Sequence, residues 1–316
     1  MDTIIVTVGL CVKNSGETLL KTLESIVSQD FPKEDIEIII VDGGSQDETL
    51  EIIRDFILHT KIKVSVLFDE GKGLSTARQK VVDNAKGSYI LWVDGDVILA
   101  NDFLKKQLRF MRKRPFVGLA RGKGEYTESG GFVGDVQNLL FSTLDIVYFG
   151  ATICKTKVLR QVGGFDKRMI GAAEDVDIKT RILLLGWQST INKEAKFFHI
   201  PKDTLKNLFK QYSWYGHGDH FLYHKYEGLI KIPYRLPPYY FGWGLKLSKK
   251  AYNQYHLKKA FIIPFLCFFI SISWCLGFLR GHIQGYGHSI KKPEIRKEAL
   301  FAAKQSLERA RTRKKF

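Results

Sequence analysis

Apolar and polar residues alternate along the first third of the chain in short blocks of two kinds. Four blocks predict strands, at residues 4–11, 36–41, 64–68 and 89–93, and the first of them, which is rich in β-branched residues, is expected to be buried. Three blocks between them repeat apolar side chains every three or four positions and predict amphipathic helices, at residues 15–28, 48–58 and 74–85. Strands that alternate with helices over short connections predict a doubly wound, mostly parallel sheet with helices on both faces.

The alternation weakens in the middle of the chain. We expect a helix at residues 101–114, a glycine-rich irregular segment at 118–134 and a strand at 146–154. Two further helices are predicted at residues 175–185 and 204–215. The patterns divide the chain into an α/β domain at residues 1–225 and a basic C-terminal region at residues 226–316.

Polar side chains follow the predicted strands at the points where they end. They are Asn14, Asp42, Asp69, Asp94 and Asp96. The carboxyl ends of parallel strands meet at one edge of a sheet, and ligands of open α/β sheets bind in the crevice there. We therefore expect these side chains to face a common ligand.

Three short motifs suggest what that ligand is. Asp94 and Asp96, spaced by one residue, can chelate Mg²⁺ or Mn²⁺ bound to diphosphate oxygens, although the same pattern fits a solvated turn. Asp42 precedes two glycines that allow a nucleoside close to the backbone, although a helix-capping turn would look alike. The glycine loop around Lys72 and the helix with Arg78 offer positive charge to phosphate without a Walker A pattern.

In their order along residues 3–220, these motifs resemble the family 2 glycosyltransferases of the GT-A fold. The matching motifs, in chain order, are Val-Lys-Asn after the first strand, Asp-Gly-Gly-Ser, Gly-Leu-Ser-x-Ala-Arg, Asp-x-Asp, Gly-Gly-Phe-Asp and a Glu-Asp pair. The resemblance implies a GT-A-type sheet. It also implies an inverting, metal-dependent transfer of a sugar from a UDP- or GDP-linked nucleotide-sugar donor.

The resemblance also implies roles for individual residues. Those expected to contact the donor nucleotide are Lys13, Asn14, Asp42, Lys72, Arg78 and Asp94. Asp94 and Asp96 are the expected ligands of Mn²⁺ or Mg²⁺, and His199 matches a late histidine that many relatives use as a further ligand. A histidine packed beside two phenylalanines is the alternative for His199. Asp175 is the expected general base, and Glu174 supports acceptor positioning or orients the loop.

Residues 211–218 resemble a Tyr-Gly-Arg-Gly-like segment of many relatives, with His217 where arginine is common. The segment departs from the Gln-x-x-Arg-Trp motif of processive polysaccharide synthases. We therefore expect a non-processive enzyme, and the part that this segment plays in diphosphate binding stays open.

The net charge of +16 is confined to the end of the chain. Residues 200–316 carry 22 basic and six acidic residues, and this difference equals the whole net charge. The same third contains the long uncharged run 260–279, so we expect the basic residues to contact anionic lipid headgroups rather than nucleic acid. Four cysteines without ligand spacing are expected to be reduced thiols, and no signal peptide is recognised, so we expect the catalytic domain at the cell membrane on its cytoplasmic side.

The run 260–279 is about long enough to cross a ~30 Å hydrocarbon layer. Its two flanks, 200–259 and 280–316, each hold 11 basic and three acidic residues, so a single crossing would export a basic tail against the positive-inside tendency. We favour monotopic attachment, with a true span and a buried core helix as alternatives. Residues 229–247 are expected at headgroup depth, and residues 293–315 are expected to form a basic surface helix.

Three functions remain open at this point. The first is transfer of a sugar to a lipid-linked or surface-glycan acceptor at the cytosolic membrane face. The second is a polyprenyl-phosphate monosaccharide synthase, in which the lipid phosphate attacks. The third is a non-catalytic membrane scaffold on a transferase fold, which the intact acidic set argues against.

Overall fold

The computed structural model describes residues 4–129, 131–226 and 231–290. Its strands are β1 (Val6–Val12), β2 (Ile36–Asp42), β3 (Lys63–Phe68), β4 (Tyr89–Trp92), β5 (Val97–Leu99), β6 (Val117–Gly124), β7 (Thr152–Lys155) and β8 (Gln188–His199). Its α-helices are α1 (Gly16–Val27), α2 (Thr49–His59), α3 (Leu74–Asn84), α4 (Phe103–Arg112), α5 (Phe132–Thr143), α6 (Thr156–Gln161), α7 (Glu174–Leu184), α8 (Leu205–Lys225), α9 (Pro237–Tyr255) and α10 (Ile263–Ile283).

The eight strands form one sheet in the order β3-β2-β1-β4-β7-β6-β8-β5. The first four are parallel, as the alternating pattern predicts. The other half is mixed, because β7 runs antiparallel to both β4 and β6, β8 runs parallel to β6, and β5 runs antiparallel to β8. Two neighbouring parallel strands must be joined by a crossover of a dozen or more residues. Antiparallel neighbours can also be joined by much shorter loops, so the connections in this half of the sheet vary in length.

Both faces of the sheet are covered by apolar layers. Alternate residues of β1, among them Val8 and Leu10, pack with Leu19 and Leu23 of α1 on one face. On the other face α3 lies so close that a Cβ on Gly9 would come within 2.8 Å of Val81. The strands with the site-bearing ends are therefore held from both sides.

The glycine-rich stretch 118–134 is irregular only in its middle, at residues 125–129, so this expectation was wrong for its two ends. It contains most of β6 and the start of α5. Gly118 and Gly122 face close neighbours, and a Cβ on Gly122 would lie 2.3 Å from the ring of Phe103. Gly122 thus lets the start of α4 pack against the strand.

Three other boundaries differ from the sequence prediction. The strand expected at 146–154 begins only at Thr152 and ends at Lys155. Val147 and Phe149 are buried but do not pair with another strand. Helix α8 continues to Lys225 rather than ending at residue 215. Most of the expected headgroup segment 229–247 lies in a 3-10 turn and helix α9.

The C-terminal helices pack on one another and on α5 through a shared apolar cluster. Helix α10 crosses α8 at very short distance, because a Cβ on Gly216 would lie 2.0 Å from the carbonyl oxygen of Trp274 and one on Gly277 would lie 1.8 Å from that of Ser213. Within the described residues, one helical stretch, Lys258–Ile283, is long and apolar enough to cross a membrane, and about half of it is buried. The division at residues 225/226 stays a prediction, and the helix expected at 293–315 lies outside the described residues.

The crossing of α8 and α10 predicts a stability effect opposite to helix propensity. We expect Gly277→Ala to destabilise the fold by about 1–3 kcal/mol, because the added methyl group forces the helix backbones apart. The matched control is Gly242→Ala in α9, where a Cβ meets nothing within 4 Å. The control should be neutral or stabilise by up to about 1 kcal/mol. Chemical denaturation of both variants measures the difference, and equal effects would contradict the described crossing.

Candidate active site

The loops after β1 and β2 are joined by hydrogen bonds. The backbone N–H of Asn14 donates to Ser45 Oγ (2.9 Å), and Asn14 Oδ1 accepts from the N–H of Gln46 (2.8 Å). Asp42 Oδ2 accepts from the N–H groups of Gly44 and Ser45 at 2.8 and 3.0 Å. Asp42 Oδ1 is buried and has no hydrogen-bond partner among the described residues. One carboxylate oxygen is thus used to shape the loop and the other is left for a ligand.

The two lysines predicted to contact nucleotide lie at the exposed rim. Lys13 is exposed beside Gly43, where a Cβ would come within 3.3 Å of the lysine side chain. The Lys72 ammonium forms an exposed ion pair with Glu70 at 2.5 Å. The loop of Lys72 is shaped by Asp69, whose carboxylate accepts backbone N–H groups on either side of it. The structure thus brings neither lysine into contact with the acidic cluster described next.

Arg78 lies at the centre of the predicted site. Its Nη1 is 2.6 Å from Glu174 Oε1 and its Nη2 is 3.3 Å from Asp94 Oδ1. The guanidinium carbon lies 5.1 Å from the ring centroid of Phe149 and 5.7 Å from that of Trp92. The side chain therefore links α3, the end of β4 and the start of α7 above an aromatic floor.

Burial and charge act against each other in this cluster. Burial raises the pKa of Glu174 to about 7, and Arg78 opposes that rise. Burial likewise raises the pKa of Asp94, and the negative charges of Asp96 and Asp175 add to the effect. Although burial lowers the pKa of Arg78, the facing carboxylates raise it further than burial lowers it. Arg78 is therefore a permanent cation, and the acids around it depend on that charge.

Asp96 and His199 meet because two strands pair. Val97 of β5 lies opposite His199 of β8, and the N–H of Ile200 donates to the carbonyl oxygen of Asp96 at 2.8 Å. Asp96 Oδ2 is 3.5 Å from His199 Nε2 and 3.9 Å from Lys202 Nζ. Burial opposes ionisation of Asp96, but His199 and Lys202 hold its pKa below the ordinary value. Two of the three predicted metal ligands are thus neighbours.

Asp175 lies in the first turn of α7, directly after Glu174. The helix is preceded by Ala173 in the left-handed region (φ 74°), a conformation that turns the chain sharply into the helix. Asp175 is half-buried and its Oδ1 accepts from the N–H of Val176 at 2.8 Å. Its charge contributes to the shifted pKa values of Arg78 and Asp94, so it lies near the same cluster.

The family model for glycosyl transferase family 2 matches residues 7–147, the segment that contains nearly all of β1, strands β2 to β6 and all six predicted donor residues. Over residues 7–147 the chain is thus similar to glycosyltransferase family 2, and we call this part the family 2 domain. The resemblance in motif order is thereby confirmed for this segment.

Curated relatives extend the likeness of this family 2 domain further along the chain. The poly-β-1,6-N-acetyl-D-glucosamine synthase of Staphylococcus epidermidis is 24% identical over 225 residues, which is 67% of this chain and 53% of that protein. The synthase of the same name from Staphylococcus aureus is 24% identical over 229 residues, which is 68% of this chain and 54% of that protein. The chain thus matches about half the length of these curated relatives.

Solved structures establish that the family 2 domain has the GT-A fold. A mannosyltransferase from Pyrobaculum calidifontis, solved with GDP-Man and Mn²⁺, superimposes with a TM-score of 0.57 at 18% identity, over 97% of this chain and 85% of that one. Residues 1–349 of S. aureus TarS give a TM-score of 0.51 at 18% identity, over 89% of this chain and 92% of that one. At these identities the likeness extends to the fold alone.

Three side chains near the family 2 site were not found from the sequence, namely the buried Arg121 and the half-buried Tyr148 and Tyr215. The Arg121 guanidinium lies 3.6 Å from the ring centroid of Tyr148 and donates to the carbonyl oxygen of Gly150 at 3.2 Å. Burial raises the pKa of Tyr148, and burial together with the negative charges of Asp94 and other site acids raises that of Tyr215. Arg121 and Tyr148 lie in segments without a recognisable motif, so no sequence signal marks them.

The buried pair of Arg78 and Glu174 predicts strong coupling. We expect Arg78→Met to destabilise the protein by about 3–5 kcal/mol, because it leaves buried carboxylates without a partner. Glu174→Gln in the Arg78→Met background should recover part of this loss, with a coupling free energy of about 1–3 kcal/mol. Urea denaturation of both single variants and the double variant measures that coupling.

Arg168→Met is the control for that cycle, because the Arg168 side chain is exposed to solvent in its ion pair with Asp166. It should cost at most about 1 kcal/mol. Additive effects of Arg78→Met and Glu174→Gln would contradict the buried pairing.

Proposed function

We propose that this chain is an inverting, metal-dependent glycosyltransferase that uses a UDP- or GDP-linked sugar and transfers it to a lipid-linked or surface-glycan acceptor. The observation that carries the proposal is a cluster of four acids where the end of β4 meets the start of α7, in which Arg78 pairs with two of them and the charges of the other two act on Asp94. The acids are Asp94, Asp96, Glu174 and Asp175. Like charges at such distances repel, so a fold retains them together where cations or a ligand compensate them.

The nucleoside end of the donor is proposed to bind at the loops after β1 and β2. A buried carboxylate oxygen without a hydrogen bond is costly, and Asp42 Oδ1 is in that state. An N–H of the base or a hydroxyl of the ribose would satisfy it. Asn14 stabilises the loop, and the exposed Lys13 and Lys72 are proposed to approach the nucleotide from the rim.

The residues present fit a divalent cation. Asp94 and Asp96 offer hard carboxylate oxygens and His199 offers an imidazole nitrogen, a mixture suited to Mn²⁺ and, for the carboxylates, to Mg²⁺. The buried Nδ1 of His199 has no hydrogen-bond partner within the described ranges, so its placement is not explained by packing alone. When bound, the ion neutralises oxygens of the donor diphosphate.

The acceptor side of the reaction is assigned to α7. As a hydroxyl oxygen of the acceptor attacks the anomeric carbon of the sugar, its proton passes to the carboxylate of Asp175. The bond between that carbon and the diphosphate breaks, the electron pair leaves with the nucleoside diphosphate, and the configuration inverts. Glu174, held by Arg78, keeps the first turn of α7 in position.

The membrane surface is proposed to contact one face of α10. The buried face of the helix packs on α8 and α9. Its other face is a stripe of exposed large apolar residues, namely Phe261, Phe265, Phe268, Ile272, Leu276, Leu279 and Ile283. Exposed Lys246, Lys249, Lys258 and Arg280 provide positive charge for anionic headgroups. A helix covered on one side by other helices and apolar on the other is suited to lie in the interface, with the family 2 domain on the cytoplasmic side.

The enzymatic proposal predicts selective loss of activity. We expect wild-type protein to transfer a labelled sugar from one class of donor to a membrane lipid extract only with Mn²⁺ or Mg²⁺. Asp96→Asn should lower transfer by about 10²-fold or more, because a carboxylate ligand is lost. Asp102→Asn is the matched control, since Asp102 is paired with Lys106 on α4, and it should keep full activity.

Asp175→Asn distinguishes two acceptor classes. With a hydroxyl acceptor the variant should lose about 10²–10⁴-fold in rate, since the proton has no carboxylate to receive it. Near-normal transfer would indicate a phosphate acceptor, as in a polyprenyl-phosphate monosaccharide synthase. A thermal-shift series with UDP, GDP and their sugar conjugates identifies the base. If no nucleotide binds and no donor is used, the chain is a scaffold and the proposal is wrong.

The interfacial proposal predicts how the protein meets vesicles. Wild-type protein should float with anionic vesicles and be released by alkaline carbonate. The combined change Phe265→Ser, Leu276→Ser and Ile283→Ser should abolish flotation, since each buried large apolar side chain contributes about 1.5–3 kcal/mol. The control replaces three exposed apolar residues of the family 2 domain, Leu20, Leu58 and Phe116, by serine. Retention after carbonate extraction would instead indicate a spanning helix.

A further inference from the structure

Histidines gather where α8, the end of α10 and the following turn meet. In the described part of the chain, this histidine cluster consists of His217, His220, His224, His282 and His288. His220 and His224 are one helical turn apart on α8, so both project from the same face. The cluster is separate from the crevice acids and has no part in the proposed transfer.

Hydrogen bonding determines which nitrogen of His220 is free to bind a cation. Its Nδ1 lies 2.6 Å from the carbonyl oxygen of Tyr286. A carbonyl oxygen only accepts, so Nδ1 carries the proton and the lone pair is on Nε2. A backbone carbonyl that fixes the ring in this way is the usual outer partner of a metal-binding histidine.

The distances between the nitrogens match a tetrahedral ion. His220 Nε2 and His224 Nε2 are 3.3 Å apart. A tetrahedral Zn²⁺ with Zn–N bonds of about 2.0–2.1 Å holds two of its nitrogens about 3.3–3.4 Å apart. A ligand atom of His288 lies within 4.8 Å of the other two, and its exposed side chain can close the remaining gap.

We propose that His220, His224 and His288 bind a Zn²⁺ ion at a second site in this protein. The ring of His282, 5.2 Å from that of His288, is the nearest further imidazole and is assigned as an optional fourth ligand.

The ion would fasten the C-terminal turn to the site of transfer. Tyr286, whose carbonyl oxygen orients His220, accepts the N–H groups of Ile170 and Gly171 at its hydroxyl oxygen, at 2.9 and 3.2 Å. Its ring stacks on His217 with centroids 4.4 Å apart. Ile170 and Gly171 precede α7, so the Zn²⁺ site would hold the segment that presents Glu174 and Asp175.

The test measures Zn²⁺ on the full chain in detergent after treatment with EDTA. Elemental analysis after gel filtration gives the stoichiometry, and competition with a chromogenic chelator gives the affinity. We expect His224→Gln and His288→Gln each to weaken Zn²⁺ binding at least about tenfold. His59→Gln, a change at an exposed histidine of the other domain, is the matched control and should bind as wild type does.

Asp96→Asn separates this site from the crevice, because it should leave the tight Zn²⁺ site intact. The proposal would be overturned if Asp96→Asn lost Zn²⁺ while the double variant His224→Gln, His288→Gln kept it. Co²⁺ bound to wild-type protein should show the intense visible bands of a tetrahedral site, and this requires no variant to fold. Absence of those bands, together with no stoichiometric Zn²⁺, would also overturn it, whatever the outcome of the transfer assays.

Discussion

The buried guanidinium of Arg78 is the interaction on which the arrangement of the site depends. It lies in an environment of low dielectric above aromatic rings, where a cation without counter-charge is costly. Glu174 is only 3% exposed and has the same difficulty as an anion. Each group therefore stabilises the other, and Asp94 completes the neutralisation. Because the three residues come from different elements, pairing them also determines how α3, β4 and α7 meet before any ligand binds.

The site residues that could be predicted from the sequence are those marked by a local pattern of apolar and polar positions. Of the parallel strands, β1, β2 and β4 are buried on both faces, so their apolar runs are recognisable, and Asp42 and Asp94 follow from where the runs of β2 and β4 end. His199 is different, since β8 contains polar residues such as Asn192 and Glu194 and becomes a strand only by pairing with distant β5 and β6. The position of His199 could be matched to the family from the sequence, but its contact with Asp96 depends on that long-range strand pairing.

The apolar run near the C terminus shows a different reason for ambiguity. Gly216 and Gly277 lower helix propensity, but in the structure they allow α8 and α10 to approach at backbone distance. The run 260–279 is therefore apolar all around, with one face packed inside the protein and the other face exposed. Composition alone cannot separate these faces. Helix α9, with aromatic residues and prolines at its start, covers much of the inner face and was not expected as a helix.

The same packing couples the exposed apolar stripe to the residues of the proposed active site. Ala173, just before Glu174, has a left-handed backbone that costs a non-glycine residue about 1–3 kcal/mol and persists only where neighbours hold it. Tyr286 supplies part of that restraint from the turn after α10, through its two hydrogen bonds to residues 170 and 171. One face of helix α10 is therefore exposed, while the turn after its end restrains the segment that leads into α7, the helix that carries Asp175. A displacement of α10 relative to α8 would be transmitted to α7 through this turn, because the crossing at Gly216 and Gly277 leaves no space to absorb it.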